Sequence, residues 1–219
     1  MSALRLDAPW LEFDLGRDMR VLSWAINRPG FVTARRILWR EVRNADLPAD
    51  LDVHDWLQGA LAARGALDAV TFLTSRDIVH HHVAEAEIDG VRACAVATVG
   101  LSNAERIGHR IDRSGHDWGT INVALRLDAG QGGLTDAALI EALSIAASAR
   151  TVAVIEAELD LPTGRATGTG TDCIAVAAAP GGVAYAGMHT ALGQAAGRAV
   201  HAAVGAGARE WMQTVRRGT

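Results

Sequence analysis

Apolar and polar residues alternate from Trp10 to Leu15, the period-two pattern of a strand with one covered face, and Arg20 to Ile26 also reads as a strand. Arg28-Pro29-Gly30 breaks what precedes it, and Thr33–Val42 fits strand and helix equally. The period changes after Asp52. Val53, Trp56, Leu57, Ala60 and Leu61 recur at helical spacing, Asp52 stands where an N-cap acts and Gly65 where a helix stops, so a helix is predicted over 53–64. Strands follow at 69–74 and in a hairpin, HHHVAEAEI (80–88) and VRACAVATVGL (91–101), joined by Asp89-Gly90, a dipeptide suited to a tight primed turn. A strand at 120–127 precedes an Ala-rich helix over 136–158, capped by Thr135. A further strand spans 174–179. The last helix runs from Thr190 to about 215, with Leu192, Ala196, Ala199, Val200 and Ala203 at helical spacing.

Strands outnumber helices and partly pair as hairpins, which predicts an α+β layered domain: a mixed, largely antiparallel sheet with long Ala-rich helices on one or both faces. The 219 residues suit a single domain, 1–219, and no repeat or linker divides them. With 49% hydrophobic but only 5% aromatic residues, the core is built mainly from Ala, Val, Leu and Ile. Net charge is −4 with both signs interspersed, and the basic stripe of a nucleic-acid binder is absent. A small or neutral partner fits better. All 21 basic residues are Arg, which excludes Schiff-base chemistry and any Lys-dependent phosphate loop. Cys94 and Cys173 sit in apolar strand-like sequence and read as buried thiols of a reducing compartment. No signal-like N-terminus and no run of about 18 apolar residues is present, so a soluble, cytoplasmic protein with no membrane partner is expected.

Four polar connections stand at predicted strand or helix ends. The densest is ATGTGTD, Ala166 to Asp172, followed at once by CIAVAAA. Gly168 and Gly170 allow close backbone approach and an inward-facing set of N–H groups, with Asp172 at the strand mouth; an ordinary turn capped by its own Thr and Asp side chains has the same composition. In VGLSNAERIG (99–108), Ser102 and Asn103 are either ligand contacts or helix caps. Gly119-Thr120-Ile121-Asn122 places a donor–acceptor carboxamide at a strand entry. Tyr185–Thr190 leads into the last helix with His189 at or just before its N-terminus.

Order, spacing and wording of VGLSNAERIG, GTINVALRL (119–127), ATGTGTDCIAVA (166–177) and YAGMHTALGQAAGRAV (185–200) together resemble the adenosylcobinamide amidohydrolase family of CbiZ type, over most of the chain. Two stretches depart from it. Asn27-Arg28-Pro29-Gly30 stands where the family shows Asn followed by two Gly, and FLTSRDI (72–78) replaces a more typical Thr-Ala-Ala.

The resemblance implies hydrolysis of the amide joining aminopropanol to the corrin ring, giving adenosylcobyric acid and aminopropanol in corrinoid salvage, with the corrinoid as substrate and no separate cofactor. That chemistry needs an activated nucleophile, an oxyanion site and a proton for the departing amine. His189 is the expected base and proton donor, and Asp172 the residue that orients it or the water. The N–H groups of Gly168, Thr169, Gly170 and Thr171 form the expected oxyanion pocket, while Ser102, Asn103, Thr120 and Asn122 hold substrate amides. A covalent route through Thr169, Thr171 or Ser102 stays open. His80 and His82 share a strand face, but no third metal ligand is evident, and no metal is expected. Asp52-Val53-His54 begins like a cobalt-ligating motif but has Leu57 where Gly is needed. A non-catalytic corrinoid-binding module is the different-class alternative, and the small residues of the last helix allow a homodimer.

Overall fold

The computed structural model describes residues 4–48, 50–112, 118–130 and 132–216, the side chain of Asn44 apart. In chain order the elements are β1 (Leu4–Asp7), β2 (Trp10–Ser23), β3 (Gly30–Glu41), α1 (Val53–Arg64), β4 (Val70–Thr74), β5 (His81–Ile88), β6 (Val91–Val99), β7 (Ala104–Glu105) and β8 (Ile121–Asp128). They continue with α2 (Asp136–Glu156), β9 (Asp160–Leu161), β10 (Gly164–Arg165), β11 (Gly168–Thr169), β12 (Cys173–Ala178) and α3 (Ala191–Thr214). The main sheet runs β4-β3-β2-β12-β8-β6-β5, with β1 added to β2. Only β3/β4 and β12/β8 pair in parallel. The α+β expectation holds.

Local chemistry explains the clearest boundaries. The Asp52 side chain accepts from the His54 and Asp55 N–H groups, and Gly65 closes α1 in the left-handed region; the Asp52-Val53-His54 stretch is therefore a helix start. Asp89 and Gly90 both have positive φ, as a primed hairpin turn requires. Thr135 and Thr190 cap α2 and α3. The two strands expected before residue 27 are one strand: the register shifts between Asp14 and Met19, and Gly16 at φ 78° carries β2 through the bend.

All three helices lie on one face. α2 and α3 cover Val123 and Leu125 of β8 and Ile174 and Val176 of β12, and α1 packs through Leu57 and Leu61 on Trp10 and Leu38. Small residues let the helices approach closely: a Cβ on Gly207 of α3 would stand 2.7 Å from Val99 Cγ2. By length and composition α2 is apolar enough to cross a membrane, with mean hydropathy 1.7, yet its inner face packs into this core.

The opposite face needs no helix because the sheet coils over itself. β4 stands four places from β8 in strand order, yet the Asn122 Nδ2 donates to Leu73 O at 2.8 Å. Phe13, Ile37, Trp39 and Phe72 fill the concavity against Val96 and Ala124. Trp39 and Phe72 meet edge to face, with centroids 5.1 Å apart. The open side of this coil, beyond the N-terminal ends of β8 and β12, is a cleft.

Candidate functional site

Three loops are stitched together at that open side. β11 pairs with β7, setting Gly168 opposite Glu105 and Thr169 opposite Ala104. The Thr167 hydroxyl donates to Glu105 O at 3.2 Å and accepts from the Ile107 N–H at 2.8 Å. The Thr171 hydroxyl donates to Gly119 O at 2.9 Å, and the Thr120 hydroxyl to Thr171 O at 3.0 Å. Gly119 is required by space, since a Cβ there would lie 2.7 Å from Ser102 N and 2.9 Å from Gly100 O. Residues 99–108, 119–122 and 166–172 thus meet in one place.

Asp172 is the hub. Its Oδ1 accepts from the Ile121 N–H at 3.1 Å and the Thr169 hydroxyl at 2.5 Å, and its Oδ2 accepts from the Thr169 N–H at 3.0 Å. Arg150 Nη1, reaching in from α2, lies 2.6 Å from Oδ2, with the two side chains 17% and 7% exposed. Burial pushes the Asp172 carboxyl above its ordinary range, and Arg150 and the Thr169 and Ile121 donors pull it back. Two oxygens offer about four lone-pair positions, and four donors fill them.

Gly168 makes this geometry possible. A Cβ at that position would stand inside the Arg150 guanidinium and 2.6 Å from Asp172 Oδ2. Gly168→Ala is expected to separate the pair and to lower stability by about 3 kcal/mol, the usual cost of breaking a buried ion pair. Chemical denaturation measures this; an unchanged midpoint would mean that the collar has room to spare.

The cleft has a volume of about 790 Å³. Its walls carry Trp24, Ile26, Phe72, Leu73 and Trp118, and its polar side carries Thr120, Asn122, Thr171 and Asp172. Trp24 and Trp118 expose 47% and 58% of their surface. Both are tied to the hub region: the Trp24 indole N–H donates to Asp172 O at 2.8 Å, and Trp118 O accepts from the Ser75 hydroxyl at 2.8 Å. Of the two stretches that depart from the family wording, 72–78 contributes to this wall and Asn27 of the other braces it from behind. Asn27 Nδ2 donates to Ala69 O at 2.8 Å while its Oδ1 accepts from the Thr71 N–H at 3.0 Å, closing the free edge of β4, and Phe72, Leu73 and Ser75 line the cleft directly.

Of the residues singled out from the sequence, Thr120, Asn122, Thr171 and Asp172 line the cleft, and Gly168, Thr169 and Gly170 form the collar behind Asp172. Asn122 is 1% exposed and spends its amide on Leu73 O, so it fixes the β4 edge. Ser102 and Asn103 cap no helix: they form a turn before β7. The Asn103 side chain is 3% exposed, and its Oδ1 has no partner among the described residues. The expected free N–H pocket is partly spent, because the Thr169 N–H already serves Asp172.

The pairing of His189 with Asp172 does not form. His189 is exposed at the start of α3, whereas the α3 residue that reaches the cleft end of the sheet is Gly207, against Val99. Seventeen residues of helix from Thr190 to Gly207 at 1.5 Å rise separate those points by roughly 25 Å. His80 and His82 do find an acid: Glu210 of α3 bridges His80 Nδ1 at 2.6 Å and His82 Nε2 at 2.7 Å. Burial opposes ionisation of Glu210, but the two imidazoles hold its carboxyl below the ordinary range. Among the described residues no group of three His, Cys, Asp or Glu is placed to hold a metal ion. Burial pushes the Cys173 thiol up to about 12, which leaves it a poor nucleophile beside the cleft.

Sequence reasoning missed Arg150, Trp24 and Trp118. Arg150 had a signal: it is the sole cation between Asp136 and Glu156 in an otherwise Ala-rich helix, and a lone charge on such a helix needs a partner.

An α+β scaffold with a hydrogen-bonded carboxylate at the mouth of an aromatic-walled cleft has the form of a small-molecule site. The chain belongs to the adenosylcobinamide amidohydrolase family, CbiZ, whose profile matches residues 3–216. A search of the curated proteins finds no match.

Proposed function

We propose that this chain hydrolyses the amide linking aminopropanol to the corrin side chain of adenosylcobinamide, with the reaction at Asp172. The observation that carries the reading is the meeting of three family-like stretches around that carboxylate, at the edge of a cleft of about 790 Å³. The exposed indoles of Trp24 and Trp118 offer flat apolar faces to a broad ring system.

Asp172 has its acceptor positions filled, so the proton within its reach is that of the Thr169 hydroxyl, held at 2.5 Å. Nucleophile and base in direct contact, with the base held by a third group, is the arrangement covalent catalysis uses. In the reading we favour, the substrate amide reaches past the cleft lining to the collar beside Asp172, where Thr169 Oγ1 attacks its carbonyl carbon while the hydroxyl proton passes to Asp172. In this route the Gly170 N–H meets the developing oxyanion, the Thr171 N–H being turned toward Thr169 Oγ1 at 3.5 Å. Collapse breaks the C–N bond, Asp172 returns the proton to the amine, and aminopropanol leaves. Water then adds to the threonyl ester, its proton again taken by Asp172; the C–Oγ bond breaks and Thr169 recovers its hydroxyl. His189 has no part in this route.

Incubation with adenosylcobinamide in the presence of a chelator, followed by mass spectrometry for adenosylcobyric acid and aminopropanol, tests the activity. Tight binding without product would make the chain a corrinoid-binding module instead. Trp24→Ala and Trp118→Ala are each expected to raise KM roughly five- to tenfold with kcat kept, as loss of one aromatic contact implies. A fall in kcat with KM unchanged would remove the indoles from ground-state binding.

A further inference from the structure

Arg150 belongs to α2 and lies outside the set of residues that line the cleft, yet it reaches the hub from behind. One nitrogen, Nη1, contacts Asp172 Oδ2 at 2.6 Å and donates to Thr167 O at 3.1 Å. A single guanidinium therefore grips both the carboxylate and the backbone one residue before Gly168. Its Nε is buried with no partner among the described residues. An orphaned buried N–H is costly, and such violations of local satisfaction concentrate at functional sites. Glycine at 168 leaves the space that the guanidinium occupies.

We propose that Arg150 is a positioning residue of the hydrolytic site: acting through Asp172, it keeps that carboxylate ionised and turned toward the Thr169 hydroxyl. The inference rests on the hydrolytic reading above. The charge logic is simple. Beside Asp172 stand Arg150 from α2 and the neighbouring Cys173 thiol on β12, while Glu105 lies on β7, the strand paired with β11. Burial favours the protonated acid, and Arg150 is the cation opposing it. Without it the base form persists only at higher pH. The acid limb of the pH–rate profile must then move to higher pH.

The test uses the full chain with 13C-carboxyl aspartate, the Asp172 resonance being assigned by its loss in Asp172→Asn. In Arg150→Ala the Asp172 titration is expected to move to higher pH, kcat to fall about 100-fold with KM little changed, as a misplaced catalytic group implies, and the acid limb to follow the titration. Added guanidinium should return all three toward wild type. Should Arg150→Ala not fold, Arg150→Met retains the side-chain bulk without charge and carries the same expectations. A folded variant with an unmoved Asp172 titration, or with its pH profile unchanged, overturns the proposal. If the wild-type protein yields no adenosylcobyric acid, the hydrolytic reading fails, and the titration alone still shows whether Arg150 governs Asp172.

Discussion

Asp172→Asn is expected to bind adenosylcobinamide and to lose turnover by about 10⁴-fold, the scale seen when a buried catalytic aspartate becomes an amide. Two effects act together. The carboxamide cannot take the Thr169 proton, so the hydroxyl held at 2.5 Å loses its base. Its NH₂ group also replaces an acceptor with a donor, in a site where the Ile121 N–H, the Thr169 N–H and hydroxyl and Arg150 all donate. The aromatic wall of the cleft is untouched and Asn keeps the size of the side chain, so binding measured by corrinoid titration should survive. Turnover within tenfold of wild type would show that Asp172 organises the loop and does no chemistry.

Thr169→Ala is expected to reduce kcat at least about 1000-fold, while Thr169→Ser retains most of it, because serine keeps the hydroxyl that attacks. The pair separates the covalent route from direct attack by water. In the covalent route, acid-quenched wild-type reactions carry a corrinoid adduct on the 166–172 peptide, and Thr169→Ala carries none. If Thr169→Ala turns over normally and no adduct forms, water attacks directly and the threonine serves only to hold Asp172. Thr171 is a weaker candidate, since its hydroxyl donates to Gly119 O at 2.9 Å and not to Asp172.

What could be read from the sequence was local. The bounds of α1 follow from Asp52 and Gly65, the β5–β6 turn from Asp89-Gly90, and the caps of α2 and α3 from Thr135 and Thr190, because each signal lies within a few residues of what it controls. Asp172 was legible for the same reason, set in a dense Gly and Thr collar. The path of the sheet was not. A bulge at Gly16 joins what reads as two strands, and the coil that brings Leu73 to Asn122 depends on twist summed over several strands. His189 was misplaced because its local setting, polar and at a helix start, says nothing about which end of a 24-residue helix meets the cleft. Arg150 was missed because it approaches from the helix layer, 22 positions before its partner, where the sequence shows only a single charge among alanines.

Cleavage of a single amide bond is the central event, and a reaction run in 18O-water reads that bond directly. Hydrolysis at Asp172 predicts adenosylcobyric acid carrying one solvent oxygen in its new carboxylate and an equal amount of aminopropanol carrying none. Solvent oxygen in the aminopropanol, or bound adenosylcobinamide recovered intact, would contradict it.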